Sequence, residues 1–556
     1  MLINRRTWLG GLAGAVTAVA VTVPSAAAAT IVAPGATPGF RAALDALADF
    51  ATADLTVNGF PGMTIAVRAA DEQTATLTLG VANLTTREAV RADHLFQIGS
   101  ISKSFVALAL YALAGQGRLD LDAPVTRVVP ELWLDDRSIT IAQLLAHSAG
   151  LPDNSPVFPD VPGGRLWSAT PPGAAFSYSN AGYDLLAFVV ERASGRRFDA
   201  ALDALVLRPL GMAHAEPVIR SADRGRYAQG YVPFGEGAWF ARAPLAEGPW
   251  LDIDRAAGSV AATSGDMLRY IAFIGQLAQG RGAPLFNNAL AHRFATPVID
   301  AAVFGKGARY GSGLATVDID GAPAFHHTGG MLVFSSSVHV DRASGAGVFA
   351  SVNIGSGIGY RPRQVSAHGV RLLRALAASS ATPSPPAIAA PPPLTDANDF
   401  AGRFVGPAGE VVTLTPAAGG LMLDGRWQLR SDSDGSLVTD RDYLGLHFSG
   451  TGRRDRLWRG ATLYGRDAAL PQPPSPPALA ALAGVYLSND PWVGGTAIYA
   501  RSDALVAEGG GALTRSADGS WRAADAVTER TWFDRSIDGR PQRLNQSGNV
   551  MWRFAG

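Results

Sequence analysis

Phe96-Gln97-Ile98-Gly99-Ser100-Ile101-Ser102-Lys103-Ser104-Phe105 is the stretch from which the rest of this chain can be read. Beyond it the apolar residues Phe105, Leu108, Ala109, Ala112 and Leu113 recur at helical spacing, which predicts a buried helix. Residues three apart share a helix face, so Lys103 can reach the hydroxyl of Ser100. A helix N-terminus also carries unpaired N–H groups and a partial positive charge, both favourable to an oxyanion forming there. The spacing alone is weak, because serine and lysine are common. Composition strengthens it: of 47 basic residues, only Lys103 and Lys306 are lysines. Arginine stays protonated, whereas a buried lysine can lose its proton and act as a base. The plain alternative is a surface lysine on a core helix. Lys306, in Phe304-Gly305-Lys306-Gly307, is read as a loop residue without a role.

Working outward, 556 residues predict two to four domains at roughly 150 residues each. With 47% hydrophobic and 17% charged residues, a large core is expected and global disorder is not. The 47 basic and 47 acidic residues balance, giving no electrostatic case for nucleic acid or an anionic membrane surface. With no cysteine, disulfides and thiolate metal sites are excluded. The nine histidines show no metal-binding spacing, so neither metal nor cofactor is expected.

At the N-terminus, Asn4-Arg5-Arg6-Thr7-Trp8-Leu9 sets paired arginines before an apolar run from Leu9 to Val23, and small residues follow from Ser25 to Ala29. Residues 1–29 are read as a twin-arginine export signal, with the twin-arginine machinery as a partner and a periplasmic or secreted location. The alternative is a membrane anchor, but the run is shorter than the ~20 residues a spanning helix needs. No later segment is apolar and long enough to span a bilayer.

Between positions 30 and 376 the patterns predict a helix over Phe40 to Phe50, then strands Met63 to Arg68 and Thr74 to Val81 around the turn Ala70-Asp71-Glu72. A second helix is expected to end at Gly150 and Pro152, after Leu144-Leu145-Ala146-His147-Ser148-Ala149-Gly150-Leu151-Pro152. A Gly/Pro-rich stretch to Gly173 reads as a long surface loop bordering a cleft. Helices follow at Gly182 to Val190 and within Gly258 to Ile274, the latter capped near Thr263 or Ser264. Strands Phe334 to Val340 and Gly347 to Val352 and a helix Gln364 to Leu376 close the region. Early strands, helical middle and late strands predict one antiparallel sheet built from both ends, with helices packed on it: an α/β (α+β) domain.

Residues 377–394 are an Ala/Ser/Pro linker, and 471–477 a second proline-rich break. The segments after them, 395–470 and 478–556, resemble each other. Phe400-Ala401-Gly402-Arg403-Phe404 matches Leu482-Ala483-Gly484-Val485-Tyr486, and Leu429 with Asp434-Gly435-Ser436 matches Leu513 with Asp518-Gly519-Ser520. Two small antiparallel barrels are expected, with a single sandwich as the alternative.

Acyl transfer needs a nucleophile, a base, a proton donor for the leaving group and an oxyanion hole. Ser100 and Lys103 supply the first two. In Tyr178-Ser179-Asn180 a phenol beside an ammonium can pass protons, and an amide can hold a substrate carbonyl. Taken alone, Tyr178 is as readily a core tyrosine. In His326-His327-Thr328-Gly329-Gly330 the glycines let a substrate backbone approach a strand edge that could pair with a peptide-like substrate. His327 alone could equally be a satisfied loop histidine.

Together these three motifs resemble the penicillin-recognising serine hydrolases: class C β-lactamases, DD-peptidases, D-aminopeptidases and related esterases. S-x-x-K is met by Ser100 and Lys103, Y-x-N by Tyr178 and Asn180, and H-x-G by His327, Thr328 and Gly329. The L-L-x-H-x-x-G-L-P signature is met by Leu144 to Pro152, and the resemblance spans about residues 37 to 376. It implies a β-lactamase-like serine hydrolase domain, a covalent acyl-enzyme, and an oxyanion hole from the N–H groups of Ser100 and Gly330. The layout with two C-terminal, lipocalin-like barrels looks like the D-aminopeptidases of this family, in which a barrel loop reaches the active site. A lysine in the third motif is typical of efficient β-lactamases, and His327 stands there instead. The expected function is therefore an exported hydrolase of small esters or peptides. The alternatives are a β-lactamase or DD-carboxypeptidase and a sensor of peptidoglycan fragments acylated without turnover.

Overall fold

A computed structural model describes residues 29–554 except 234–244, 356–361, 389–393, 395, 418–419, 432–435, 439–444, 450–452, 510 and 525. The export signal, save its last residue, lies outside the described residues.

Strands from the two ends of the first domain meet in one antiparallel sheet, as their patterns require. Its order is Thr30–Val32, Thr74–Asn83, Gly62–Arg68, Gly347–Val352, Ser335–Asp341, Ala322–Gly330, Ala315–Ile319, Arg309–Tyr310 and Ile299–Asp300. The seam between early and late halves is in register over Met63↔Val352 to Arg68↔Gly347. Every residue of Gly347–Val352 is buried, because helices cover both faces. Pro38–Asn58 and Arg363–Ala377 pack on one side, with Leu44, Leu47, Val365 and Leu373 in the core between helices and sheet. On the other side Ser102–Gly115, Asn180–Ser194 and Ser264–Ala278 share a larger core around Phe105, Tyr183 and Tyr270. The expected cap is present: the Thr263 hydroxyl accepts from the Asp266 N–H, and the Asp266 carboxylate accepts from the Thr263 N–H.

One predicted helix ends earlier than expected. It runs only Ile141–Leu145, well before Gly150. His147 sits at φ 54, its N–H donates to Leu144 O at 3.2 Å, and the Ser148 N–H donates to Gln143 O at 2.9 Å. That is a Schellman cap with histidine at the left-handed position glycine usually fills. The turn stops the helix one residue after Ala146.

The chain past the linker forms two closed eight-stranded barrels, Gly402–Arg466 and Gly484–Arg553. In each, the first strand pairs with the last: Phe404↔Arg466 and Tyr486↔Arg553. The same device closes both. Arg466 stacks 4.8 Å from the Phe404 ring, and its guanidinium donates to the carbonyls of Asp399, Ala401 and Arg454. Arg553 stacks 5.0 Å from Tyr486 and donates to the carbonyls of Ala481, Ala483 and Pro541. The matched Phe404 and Tyr486 are the buried apolar partners of these arginines. No helix among the described residues is long and apolar enough to cross a membrane.

Candidate active site

Ser100 lies in a 3-10 turn, Gly99–Ile101, that leads into the Ser102–Gly115 helix and brings Lys103 round beneath it. The turn is tied on three sides. The Ile98 N–H donates to Val260 O at 3.1 Å, and the Val260 N–H donates to the Ser102 hydroxyl at 3.0 Å. Ile98 O accepts from the Ser336 hydroxyl at 2.7 Å. The strand ending in Gly329-Gly330 runs directly against this turn. A Cβ on Gly99, whose φ is +56, would lie 2.6 Å from the Gly330 nitrogen, and one on Gly329 would overlap Ile98 O and the Ser336 hydroxyl. Only glycine allows that approach. Gly329→Ala is expected to push the nucleophile turn off the strand, costing about 1–3 kcal/mol. Urea unfolding and the labelling rate of Ser100 would both register it.

Lys103 is wholly buried, and its Nζ has three partners. It donates to Asn180 Oδ1 at 2.5 Å and to Ala257 O at 2.8 Å, and it lies 3.1 Å from Ser100 Oγ. The first two are pure acceptors, so they use two N–H bonds; the hydroxyl of Ser100 is the partner that can donate. A neutral amine satisfies all three, with its lone pair directed at the Ser100 proton. Burial pushes Lys103 down to about 7, against the partial restoring pull of Asp153 and Asp184. These carboxyls, on part-buried residues, are themselves raised to about 6 by loss of solvation. The Tyr178 ring lies 4.9 Å from Nζ, and Tyr178 is only half-buried. Thus Ser100, Lys103, Tyr178 and Asn180 converge on one point.

Asn180 is the first residue of the Asn180–Ser194 helix, capped by the Ser179 hydroxyl. Its side-chain nitrogen donates to Asp153 Oδ1 and Asn154 Oδ1, both at 3.0 Å, and its backbone N–H also reaches Asp153 Oδ1 at 3.2 Å. The side-chain nitrogen of Asn180 is thus already bonded to two protein acceptors. His327 is placed differently from a substrate-binding side chain. It is buried, Nδ1 lies 2.6 Å from Thr328 O, and Nε2 lies 3.1 Å from the Tyr310 hydroxyl. Nδ1 must donate to that carbonyl, so Nε2 accepts from the phenol. Burial and the nearby Lys103 charge hold this ring at about 3, hence neutral. Its pairing neighbour Ala315–Ile319 stops at His326, so no described strand pairs with Thr328, Gly329 and Gly330 on that side. That open edge can take an extended substrate.

Several residues around this centre carried no readable signal. Asp184 follows Asn180 by one helical turn and accepts from the Ala257 N–H at 3.1 Å, fixing the carbonyl that holds Lys103. Tyr310 has no motif at all. The loop after Pro152 is not simply a surface loop, because the second barrel lies on it. The Asp153 N–H donates to Glu529 Oε1 at 2.7 Å, Asn549 Nδ2 to Asn154 O at 2.6 Å, and the Trp167 indole to Thr528 O at 2.8 Å. Arg543 pairs with Asp160, and Trp167 packs edge-on against Trp532. A barrel loop thus touches the residues that hold Asn180. Among the described residues no cluster of three or more potential metal-binding side chains occurs.

The sequence profile of the Beta-lactamase family matches residues 46–368. The chain is 38% identical over 186 residues to esterase EstB of Burkholderia gladioli, covering 28% of this chain and 46% of that protein. It is 29% identical over 321 residues to penicillin-binding protein 4 of Amycolatopsis lactamdurans, covering 54% of this chain and 81% of that one. In structure it resembles an octameric penicillin-binding protein homologue from Pyrococcus abyssi. The TM-score is 0.54 at 21% identity, over 75% of this chain and 98% of the other. With the profile spanning more than half the sequence, the chain belongs to the Beta-lactamase family of serine hydrolases.

Proposed function

We propose that this protein is an exported serine hydrolase that forms a covalent acyl-enzyme on small ester or peptide-like amide substrates. The observation that carries the reading is the buried amine of Lys103, bonded to Asn180 Oδ1 and Ala257 O so that its third position faces Ser100 Oγ at 3.1 Å. Ser100 attacks the carbonyl carbon as its proton passes to Lys103, and Tyr178, whose ring lies 4.9 Å from the amine, relays it. The oxyanion forms between the N–H groups of Ser100 and Gly330, whose backbones meet at Gly99. The tetrahedral adduct collapses, the C–O or C–N bond breaks, and the relayed proton goes to the leaving group. Water then repeats the sequence on the acyl-serine. The paired arginines at residues 5 and 6 and the apolar run after them support export to the periplasm or beyond.

A fluorophosphonate probe, with p-nitrophenyl esters, D-Ala-p-nitroanilide and nitrocefin alongside, tests this. Labelling at Ser100 with turnover of an ester or anilide is expected. Nitrocefin turnover alone would make the protein a β-lactamase, labelling without any turnover would make it a sensor, and no labelling would end the proposal.

The pH profile gives a second check. Below about pH 7 Lys103 holds the proton it should accept, so the labelling rate is expected to rise through pH about 7 and level off above it. Asp184 favours the charged amine, and Asp184→Asn keeps an acceptor for the Ala257 N–H while removing that charge. The rising limb should therefore move to lower pH in Asp184→Asn. A limb that stays in place would take the proton acceptor away from Lys103.

A further inference from the structure

We propose that His147 is a positioning residue for Tyr178, clamping the backbone on both sides of it and backing its ring. This rests on the hydrolase reading above. The Ser177 N–H donates to His147 O at 2.7 Å, and the Ser179 N–H donates to His147 Nδ1 at 3.0 Å. Between these bonds the His147 ring lies against the Tyr178 ring, with centroids 4.2 Å apart and planes 33° apart. The other sides of the imidazole are taken by Tyr183 and Tyr310, both at 5.0 Å, and by Phe176 at 5.6 Å. His147 is 1% exposed.

Two features set it apart from an ordinary core histidine. The first is the backbone. It fills the left-handed cap position where glycine is the usual residue, a conformation that costs a side-chain-bearing residue on the order of 1–2 kcal/mol. Strain of this kind persists where the surroundings over-determine it, and here they include three separate contacts to residues 177–179. The second is the tautomer. Because Nδ1 accepts from Ser179, the neutral ring carries its proton on Nε2, a buried atom with no hydrogen-bond partner. An N–H enclosed by aromatic rings has no lone pair to take a proton from Ser100 or from substrate. Burial and the charge of Lys103 also hold the ring well below its ordinary range. The residue is therefore built to hold a phenol still, and it is unsuited to act as a second base.

Two variants separate the parts of the clamp. His147→Asn keeps a δ-acceptor and tolerates the left-handed backbone but removes the ring. His147→Phe keeps a ring but removes the acceptor. Fluorophosphonate labelling rates are measured for each in the full-length protein, alone and combined with Tyr178→Phe. Each single change is expected to slow labelling on the order of 10–100-fold, with little further loss once the Tyr178 hydroxyl is gone. Equal losses in both backgrounds, or wild-type labelling in both variants, would overturn the proposal while leaving the hydrolase reading intact. Absence of labelling in the wild-type protein would remove both. Should neither variant fold, nitrogen chemical shifts of the wild-type imidazole decide. A bare Nδ1 and a protonated Nε2 from pH 5 to pH 9 are expected, and titration of the ring within that range would exclude the clamp as drawn.

Discussion

Ser100→Ala is expected to lose turnover on the order of 10⁴–10⁶-fold while keeping the fold and the ability to bind substrate. The hydroxyl removed is half-exposed at the cleft and is joined to Lys103. Its loss takes one of three partners from the buried Lys103 amine, so the unfolding free energy should fall by no more than about 1–3 kcal/mol. Intact-mass spectrometry after incubation with a fluorophosphonate makes the outcome unambiguous: the wild type gains one adduct and the variant none. Near-normal hydrolysis by Ser100→Ala would mean that some other group attacks the carbonyl, and the arrangement of Lys103 would then need a different explanation.

Lys103 gives the second large effect, and two substitutions divide its charge from its basicity. Lys103→Met keeps the length of the side chain and removes the amine. Acylation should fall on the order of 10²–10⁴-fold, the range for removing a general base. Lys103→Arg keeps a cation but cannot release a proton near neutrality, so it should be no better. If the arginine variant acylated well, the positive charge would be the working feature and proton transfer would belong elsewhere. Folding is affected in both. Lys103→Met leaves Asn180 Oδ1 and Ala257 O without their donor, and Lys103→Arg forces a larger group into a wholly buried site. Rates should therefore be compared below the onset of unfolding of each variant.

Much of the architecture was legible because it rests on local patterns. Alternation over Met63 to Arg68, and the strand-like run after a turn at Gly347 to Val352, identified strands that are partners across the seam of the sheet. The repeat of Phe404 and Tyr486 identified two barrels because each residue does the same job in closing its own. The helix end at Ala146 was not legible. A histidine in a left-handed cap has no signature, and glycine at Gly150 was the better-looking stop. The site divides in the same way. Ser100, Lys103, Tyr178 and Asn180 lie in short motifs whose spacing reflects one helix start each. The residues that tune them do not: Asp153, Ala257, Tyr310 and Glu529 come from distant segments and meet only through packing. His327 was legible as a motif member, but not as a ring with both nitrogens committed to Tyr310 and Thr328.

The loop between Pro152 and Trp167 has two masters. On one side it holds the amide of Asn180, and on the other it is gripped by Glu529, Asn549 and Arg543. The proline-rich tether before the last barrel is thus misleading as a place to cut. Trimming the chain there would strand the indole N–H of Trp167 and remove the Glu529 and Asn549 contacts from Asp153 and Asn154, so loss of the distal module is felt at the residues that hold Asn180.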